Sequence, residues 1–448
     1  MAALADKRTC CLRRLGGGRA GAVRFGRFLQ NRRVTVEEML ARAGDHVAQA
    51  ARGRHVLAIQ DTTELNFSDH EASKPGFGVV GNRRDIGLFL HPVIVMDAGS
   101  GAPNQVGHAG GILGLADLFT MRREKKPAHK ADGPLRDRMR PIAERESRRW
   151  LDGLASASRV LGGAAMATVI ADCESDIYEL FAAERPAHVH LLVRAVHDRV
   201  LSEGERLFGA MAKGPHVEGR TIEIAARPGQ RARTAQTRVN WRAVEAARPG
   251  RVYGANALPA RLALNVVRVE EIDPPDGVKP VLWTLLTTHK VRDVGQALQI
   301  VEWYRARWTI EQVFRALKSQ GFAIEDSQIK TPEAMMKLAV AALIAALRTM
   351  QLVQARSGST GQKLSDALDD EAEPLVEALV RKLEGKTERL KCPHPKKSLA
   401  RLAWVVGRLG GWDGYEGHGY KPAGPKTMAI GLIQFDAIRL GWSIRKDV

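Results

Sequence analysis

Within the segment VEWYRARWTIEQVFRALKSQ, four residues stand at spacings that suit chemistry on a phosphodiester: Tyr304, Arg307, Glu311 and Lys318. At roughly 100° per helical residue they fall at about 0°, 300°, 340° and 320°, so one narrow stripe carries a phenol, a guanidinium, a carboxylate and an ammonium. The carboxylate can ligand a hard divalent cation, and the flanking cations can hold the phosphate attacked beside it. The same residues also fit an amphipathic helix whose solvated face mixes charges. Two aspartates offer partners for Glu311: Asp61 ends the apolar run in HVLAIQD, and Asp172 ends AMATVIAD. Three acids at one sheet edge can bind two hard ions roughly 3.5–4 Å apart, which activate an attacking oxygen and stabilise a leaving one in an in-line phosphoryl displacement. Taken singly, each aspartate fits a strand-end or helix-cap role equally well.

The elements that must position these residues follow from hydrophobic patterning. HVLAIQ and LFLHPVIVMD read as neighbouring strands, followed by a Gly-rich turn leading to GILGLADLF. Residues 140–161 read as a helix, AMATVIAD as a strand, DIYELFAAE as a helix and HVHLLVRAV as a further strand. Strands that end in carboxylates and feed helices predict an α/β sheet with its site at the strand C-termini. Residues 195–292 turn Arg-, Val- and Pro-rich with alternating stretches such as RLALNVVRVEEI and VLWTLLTT, which predicts a β-rich insertion. Long helices are expected over residues 293–355, and residues 356–448 read as a C-terminal helical domain. The expected organisation is thus a basic segment (1–52), a first part of an α/β core (53–194), the insertion (195–292), a second part of the core with the Tyr-Arg-Glu-Lys helix (293–355), and the C-terminal domain (356–448).

Composition narrows the function classes. The 448 residues carry a net charge of +18 with a sequence pI near 10.0, which predicts a polyanionic partner, because Lys and Arg that neutralise phosphates release counterions. The apolar run from Leu338 to Leu347 is too short to span a bilayer and reads as a buried helix, so no membrane passage is expected. Cys10, Cys11, Cys173 and Cys392 form no CxxC pair or disulfide framework, and the N-terminus has no signal-peptide core, which predicts a cytoplasmic protein. Gly16 to Gly18 lack the P-loop signature and read as part of a flexible basic segment. Cys173 has no second Cys or His at ligand spacing, so a zinc site is not expected.

Three blocks carry a family resemblance: AIQDTTELNF around Asp61, VIADCESDIYELF around Asp172, and YRARWTIEQVFRALKSQGF, whose Tyr304, Arg307, Glu311 and Lys318 fit the pattern Y-(2)-R-(3)-E-(6)-K. In these the chain resembles cut-and-paste DDE transposases of the bacterial insertion-sequence-four family, kanamycin-transposon type. The resemblance implies an RNase H-like mixed α/β sheet with helices, interrupted by a β-rich insertion before the glutamate helix. It implies Asp61, Asp172 and Glu311 as the metal-binding triad for two Mg²⁺ ions, with Mn²⁺ able to substitute. The implied partners are double-stranded DNA, both as transposon-end inverted repeats and as target, and a second copy of the chain held through the C-terminal region.

The implied chemistry is nicking of the transposon end, hairpin formation, hairpin opening and strand transfer. Tyr304, Arg307 and Lys318 match residues that hold DNA phosphates, and Trp283 falls where the family keeps an aromatic that stacks on a flipped base. A tryptophan packed in the insertion core fits Trp283 as well. Two departures stand out: Asp172-Cys173-Glu174 replaces the family's Asp-Arg-Glu, and only about sixty residues precede Asp61. A shortened chain that kept dimerisation without end recognition would act as a regulator, the alternative reading.

Overall fold

The computed structural model describes residues 4, 7, 9–67, 74–81, 84–99, 109–123, 140–202, 204–224, 231–250, 252–318, 322–415 and 421–446. In chain order the strands are β1 (His55–Gln60), β2 (Thr63–Asn66), β3 (Gly78–Val79), β4 (Ile86–Asp97), β5 (Ile112–Met121), β6 (Met166–Ala171), β7 (Val189–Arg194), β8 (Val217–Glu218), β9 (Ile222–Ile224), β10 (Arg233–Ala235), β11 (Thr237–Ala247), β12 (Arg261–Glu271) and β13 (Leu282–Thr287). The helices are α1 (Leu12–Leu15), α2 (Arg19–Gln30), α3 (Val36–Ala51), α4 (Arg148–Val160), α5 (Tyr178–Ala182), α6 (Leu207–Lys213), α7 (Val294–Ala306), α8 (Trp308–Leu317), α9 (Pro332–Ala355), α10 (Glu373–Leu383), α11 (Leu399–Leu409) and α12 (Pro425–Lys446). The expected Gly-rich turn after β4 falls largely on residues 100–108, outside the described ones.

One mixed sheet runs in the order β2-β4-β1-β6-β7-β13-β12-β11-β8, with β3 and β5 also paired to β4. β1, β6 and β7 are parallel, whereas β4 joins β1 and β13 joins β7 antiparallel. This is the mixed α/β architecture expected, with helices on the sheet and a helical C-terminal region. The strands of residues 195–292 continue the same sheet through β13 against β7, and β9 and β10 form a separate two-stranded hairpin.

Alternation along the strands sorts the core into two faces. Leu57, Ile59, Ile170 and Leu192 enter the apolar layer under α7, α8 and α9, whereas Val56, Ala58, Val169, Ala171, Leu191 and Val193 enter the layer that contains Trp150 and Leu154 of α4. A third apolar cluster joins the end of α9 to α10, α11 and α12. By length and hydropathy α9 is long enough to cross a membrane, but its window is mostly buried inside the protein as a core helix.

Two expectations change. The basic segment is helical rather than flexible: Leu15 and Leu29 are buried, and Leu12 and Phe25 pack beside them on the main core. Burial of each such side chain contributes about 1.5–3 kcal/mol, which stabilises short helices that the Gly-rich sequence could not hold alone. The helix of the chemical stripe is also broken, because α7 ends and α8 begins at Arg307, which keeps right-handed helical angles (φ −51°, ψ −34°).

Candidate active site at the ends of two parallel strands

The same alternation aims the acidic residues. The parallel register pairs Ile59 with Ile170, and two further steps set Asp61 beside Asp172. Both continue the series of side chains that faces α7 and α8. The register of β6 with β7 pairs Ala171 with Val193, so the next step sets Arg194 beside Asp172. On this face Leu57, Ile59, Ile170 and Leu192 lead up to these ends, where the charges begin.

The helices bring the remaining groups to this edge. Asp293 caps α7 by accepting the Gln296 N–H at 2.8 Å, and the helix then buries Ala297, Ile300, Val301 and Tyr304 on the sheet. Just beyond its end, Arg307 donates from Nη1 to Asp61 Oδ2 at 2.9 Å and from Nη2 to Glu311 Oε1 at 2.6 Å. The two-armed guanidinium thus ties the strand carboxylate to the helix carboxylate one turn away, a strong charge-assisted arrangement. Asp172 Oδ1 accepts the Glu174 N–H at 2.9 Å, which fixes the turn after β6.

Among the described residues no three His, Cys, Asp or Glu side chains converge to hold a metal ion, and the cation between Asp61 and Glu311 is Arg307. The donor set itself suits a hard dication: carboxylate oxygens beside one another, with no sulfur or imidazole among them. Asp61 is pushed up to about 7, first by burial and then by the Asp172 charge, against the pull of Arg307. A carboxylate pair that repels its own second charge gains by binding a cation.

Tyr304 is buried, and its phenol is pushed up to about 12, chiefly by burial. Arg307 lies 5.9 Å from the centre of its ring, and Trp283 on β13 packs edge-on at 5.5 Å. Trp283 is half-buried, at the margin of the core and beside the site. Lys318 follows α8, and its ammonium is 3.8 Å from Glu325, whose Oε1 also accepts the Asn66 N–H. The structure therefore gathers Asp61, Asp172, Tyr304, Arg307 and Glu311, with Trp283 against Tyr304 and Lys318 held on Glu325. Burial and Asp172 raise the Cys173 thiol, which keeps it protonated.

Two arginines that no sequence motif singles out also stand at this edge. The Arg194 side chain makes no hydrogen bond or ion pair among the described residues, and its charge acts on Tyr304 and Cys173. Its signal was present, since HVHLLVR is another apolar run closed by a charge. Arg149 on α4 donates to Thr62 and to Glu174, next to both aspartates, and nothing in its own segment marks it.

Residues 144–348 match the family model described as a transposase DDE domain. A solved structure of the piggyBac transposase, in a synaptic complex with hairpin DNA, aligns at 10% identity and a TM-score of 0.34 over 83% of this chain and 60% of that one. The chain thus spans about 60% of the length of that protein. Asp61 precedes the matched segment and joins it through the β1–β6 register. The segment that carries Asp172, Arg194, Trp283, Tyr304, Arg307, Glu311 and Lys318 is, on this match, similar to the DDE domain of transposases.

Proposed function

We propose that the chain is a cut-and-paste DDE transposase of the insertion-sequence-four, kanamycin-transposon type, acting on double-stranded DNA. The observation that carries this reading is the adjacent pair Asp61 and Asp172, linked through Arg307 to Glu311. Those three acids would hold two Mg²⁺ ions, with Mn²⁺ as a substitute. When bound, the ions activate an attacking oxygen and stabilise the leaving one.

The chain's own residues position the DNA. Arg194, Arg307 and Lys318 offer cations for phosphate oxygens, and Arg307 becomes available once its arms leave Asp61 and Glu311. Tyr304 stays protonated at neutral pH and donates a hydrogen bond to the same backbone. Trp283, beside Tyr304, stacks on a base displaced from the duplex, a contact worth about 1–3 kcal/mol. With these groups the site runs four phosphoryl transfers in turn: end nicking, hairpin formation, hairpin opening and strand transfer.

Partner surfaces support the reading. Arg13, Arg19 and Lys330 line a cleft between the α1–α2 pair and the start of α9, which suits a DNA backbone. Leu440 and Ile444 on α12 are 64% and 57% exposed and one helical turn apart, which suits contact with a second copy of the chain. The test is cleavage of a labelled duplex that carries the flanking inverted repeat, with Mg²⁺, beside Asp172→Ala and Glu311→Ala. Metal-dependent nicks or hairpins that vanish in both variants are expected. A wild-type protein that shifts the duplex yet never cuts it overturns the catalytic reading in favour of a DNA-binding regulator.

A further inference from the structure

Asp61 points toward α7 and α8, but the residues on either side of it point the other way, toward α4. There they enter a closed ring of hydrogen bonds. Arg149 Nε donates to Thr62 Oγ1 at 2.9 Å. Thr62 Oγ1 lies 2.9 Å from His91 Nδ1, His91 Nε2 lies 3.0 Å from Gln60 Oε1, and Gln60 Nε2 donates to the Trp150 carbonyl at 3.4 Å. Trp150 follows Arg149 in the chain, so the ring closes on itself.

The proton directions are mutually consistent in one sense only. Gln60 Oε1 can only accept, so His91 Nε2 carries the hydrogen and Nδ1 accepts from the Thr62 hydroxyl. That hydroxyl oxygen is then free to accept from Arg149. The ring needs neutral His91, and its buried position edge-on to Trp150 at 4.8 Å favours that form. Gly153 makes the room, since a Cβ there would meet Gln60 Oε1 at 2.0 Å. The free arm of Arg149 crosses to the other strand end, where Nη2 donates to Glu174 Oε2 at 2.7 Å, two residues past Asp172. Arg149 thus touches both turns from behind and is 11% exposed.

We infer that Arg149 is a positioning residue of the carboxylate site: it fastens the turn after Asp61 to the turn after Asp172, and so sets the spacing at which the two acids meet a divalent ion. The inference rests on the transposase reading for the identity of that ion. Residues that orient metal ligands from behind act on ion affinity, commonly by about 10- to 100-fold. A residue that only carried charge toward DNA would act on DNA affinity instead.

The experiment titrates Mn²⁺ into the full chain by calorimetry, with DNA affinity read by fluorescence anisotropy in chelator, for wild type, Arg149→Ala, Arg149→Lys, Thr62→Val and Glu174→Gln. Far-ultraviolet circular dichroism and melting curves select variants that remain folded, and Thr62→Val, which keeps shape and loses one hydroxyl, guards against an unfolded Arg149→Ala. Arg149→Ala and Thr62→Val are expected to weaken Mn²⁺ binding by about tenfold or more while DNA affinity changes less than about twofold. Arg149→Lys is expected to behave like Arg149→Ala, because an ammonium has no planar fork to hold both acceptors. Wild-type Mn²⁺ binding that is unchanged in the variants, or fully restored by lysine, overturns the inference alone. A wild type that binds no Mn²⁺ overturns the transposase reading together with it.

Discussion

The parallel strands β1, β6 and β7 carry polar groups at both ends of one face, and the two ends are built in opposite ways. Toward their starts, Thr168 Oγ1 lies 2.8 Å from both His55 Nε2 and His289 Nε2, His190 stacks on His289 at 4.1 Å, and Trp303 covers His55 edge-on at 4.6 Å. Burial holds His55 down to about 4 and lowers His190 and His289 as well, so the cluster is neutral. At the other ends stand Asp61, Asp172 and Arg194, with Arg307 brought in to balance two acids. The first end is a self-satisfied polar cluster that stabilises the fold. The second crowds acids together, and the cost shows at Asp61, which burial and the Asp172 charge push up to about 7 against the pull of Arg307.

The largest effect on stability is therefore expected at the neutral end. Thr168→Val removes the hydroxyl that two buried imidazoles share, which costs about 1–3 kcal/mol because their nitrogens lose a partner without gaining water. Denaturant unfolding measures the loss, and DNA binding is expected to stay at the wild-type value. Acid acts on the same cluster. The folded-state values of these histidines lie below their ordinary 6.5, so the unfolded chain binds more protons as pH falls. Their contribution is fully present above pH 6.5 and is lost toward pH 4, at up to about 1.4 kcal/mol per pH unit for each histidine. In Asp61→Asn, where the opposing titration of that carboxyl is gone, a melting temperature flat from pH 7 to pH 5 would remove the distinction between the ends.

The charged end predicts a smaller change of opposite sign. Asp172→Asn keeps an oxygen for the Glu174 N–H but removes the charge that raises Asp61. In the metal-free protein this is expected to stabilise by about 0.5–2 kcal/mol, as when a functional site gives up strain. The sign follows from Asp61, whose folded value near 7 lies above its ordinary 3.8, so the fold loses stability as pH rises from about 4 to 7. The gain in Asp172→Asn is then largest above pH 7 and small at pH 5, where wild-type Asp61 is already protonated. Melting curves at both pH values in chelator check it, and a variant less stable than wild type at pH 8 would assign Asp172 a structural role.

What could be read from the sequence follows the range of the interactions involved. Asp61 and Asp172 stood out because an apolar strand that stops at a carboxylate is a local pattern, and Glu311 stood out because helical spacing fixes its neighbours. Arg194 carries the same local signature, but in a chain with 68 Lys and Arg residues a strand-end arginine is no distinctive signal. The break at Arg307 has no Gly or Pro to announce it. The Gln60, Thr62, His91 and Arg149 ring joins β1, the turn after it, β4 and α4, and the histidine cluster joins β1, β6, β7 and the turn after β13. Such partnerships exist only once the sheet order is set. The helices at the N-terminus are hidden for the same reason, since their apolar residues gain only by docking on a core formed by distant segments.

The smallest expected effect separates charges waiting for a ligand from charges that are merely paired. Lys318 and Glu325 are 25% and 32% exposed at 3.8 Å, a pair worth no more than about 1 kcal/mol. If Lys318 serves a DNA phosphate, Glu325 competes with that phosphate for the ammonium. Glu325→Gln keeps an oxygen for the Asn66 N–H and deletes the competing charge. DNA affinity is then expected to rise by at most about fivefold, more at low salt than at high salt, whereas Lys318→Ala lowers it. Anisotropy at two salt concentrations distinguishes the outcomes. A weaker complex in Glu325→Gln would mean that the glutamate aims the lysine rather than restrains it, and Lys318 would then belong with the positioned groups behind the acids rather than with the uncommitted cations in front of them.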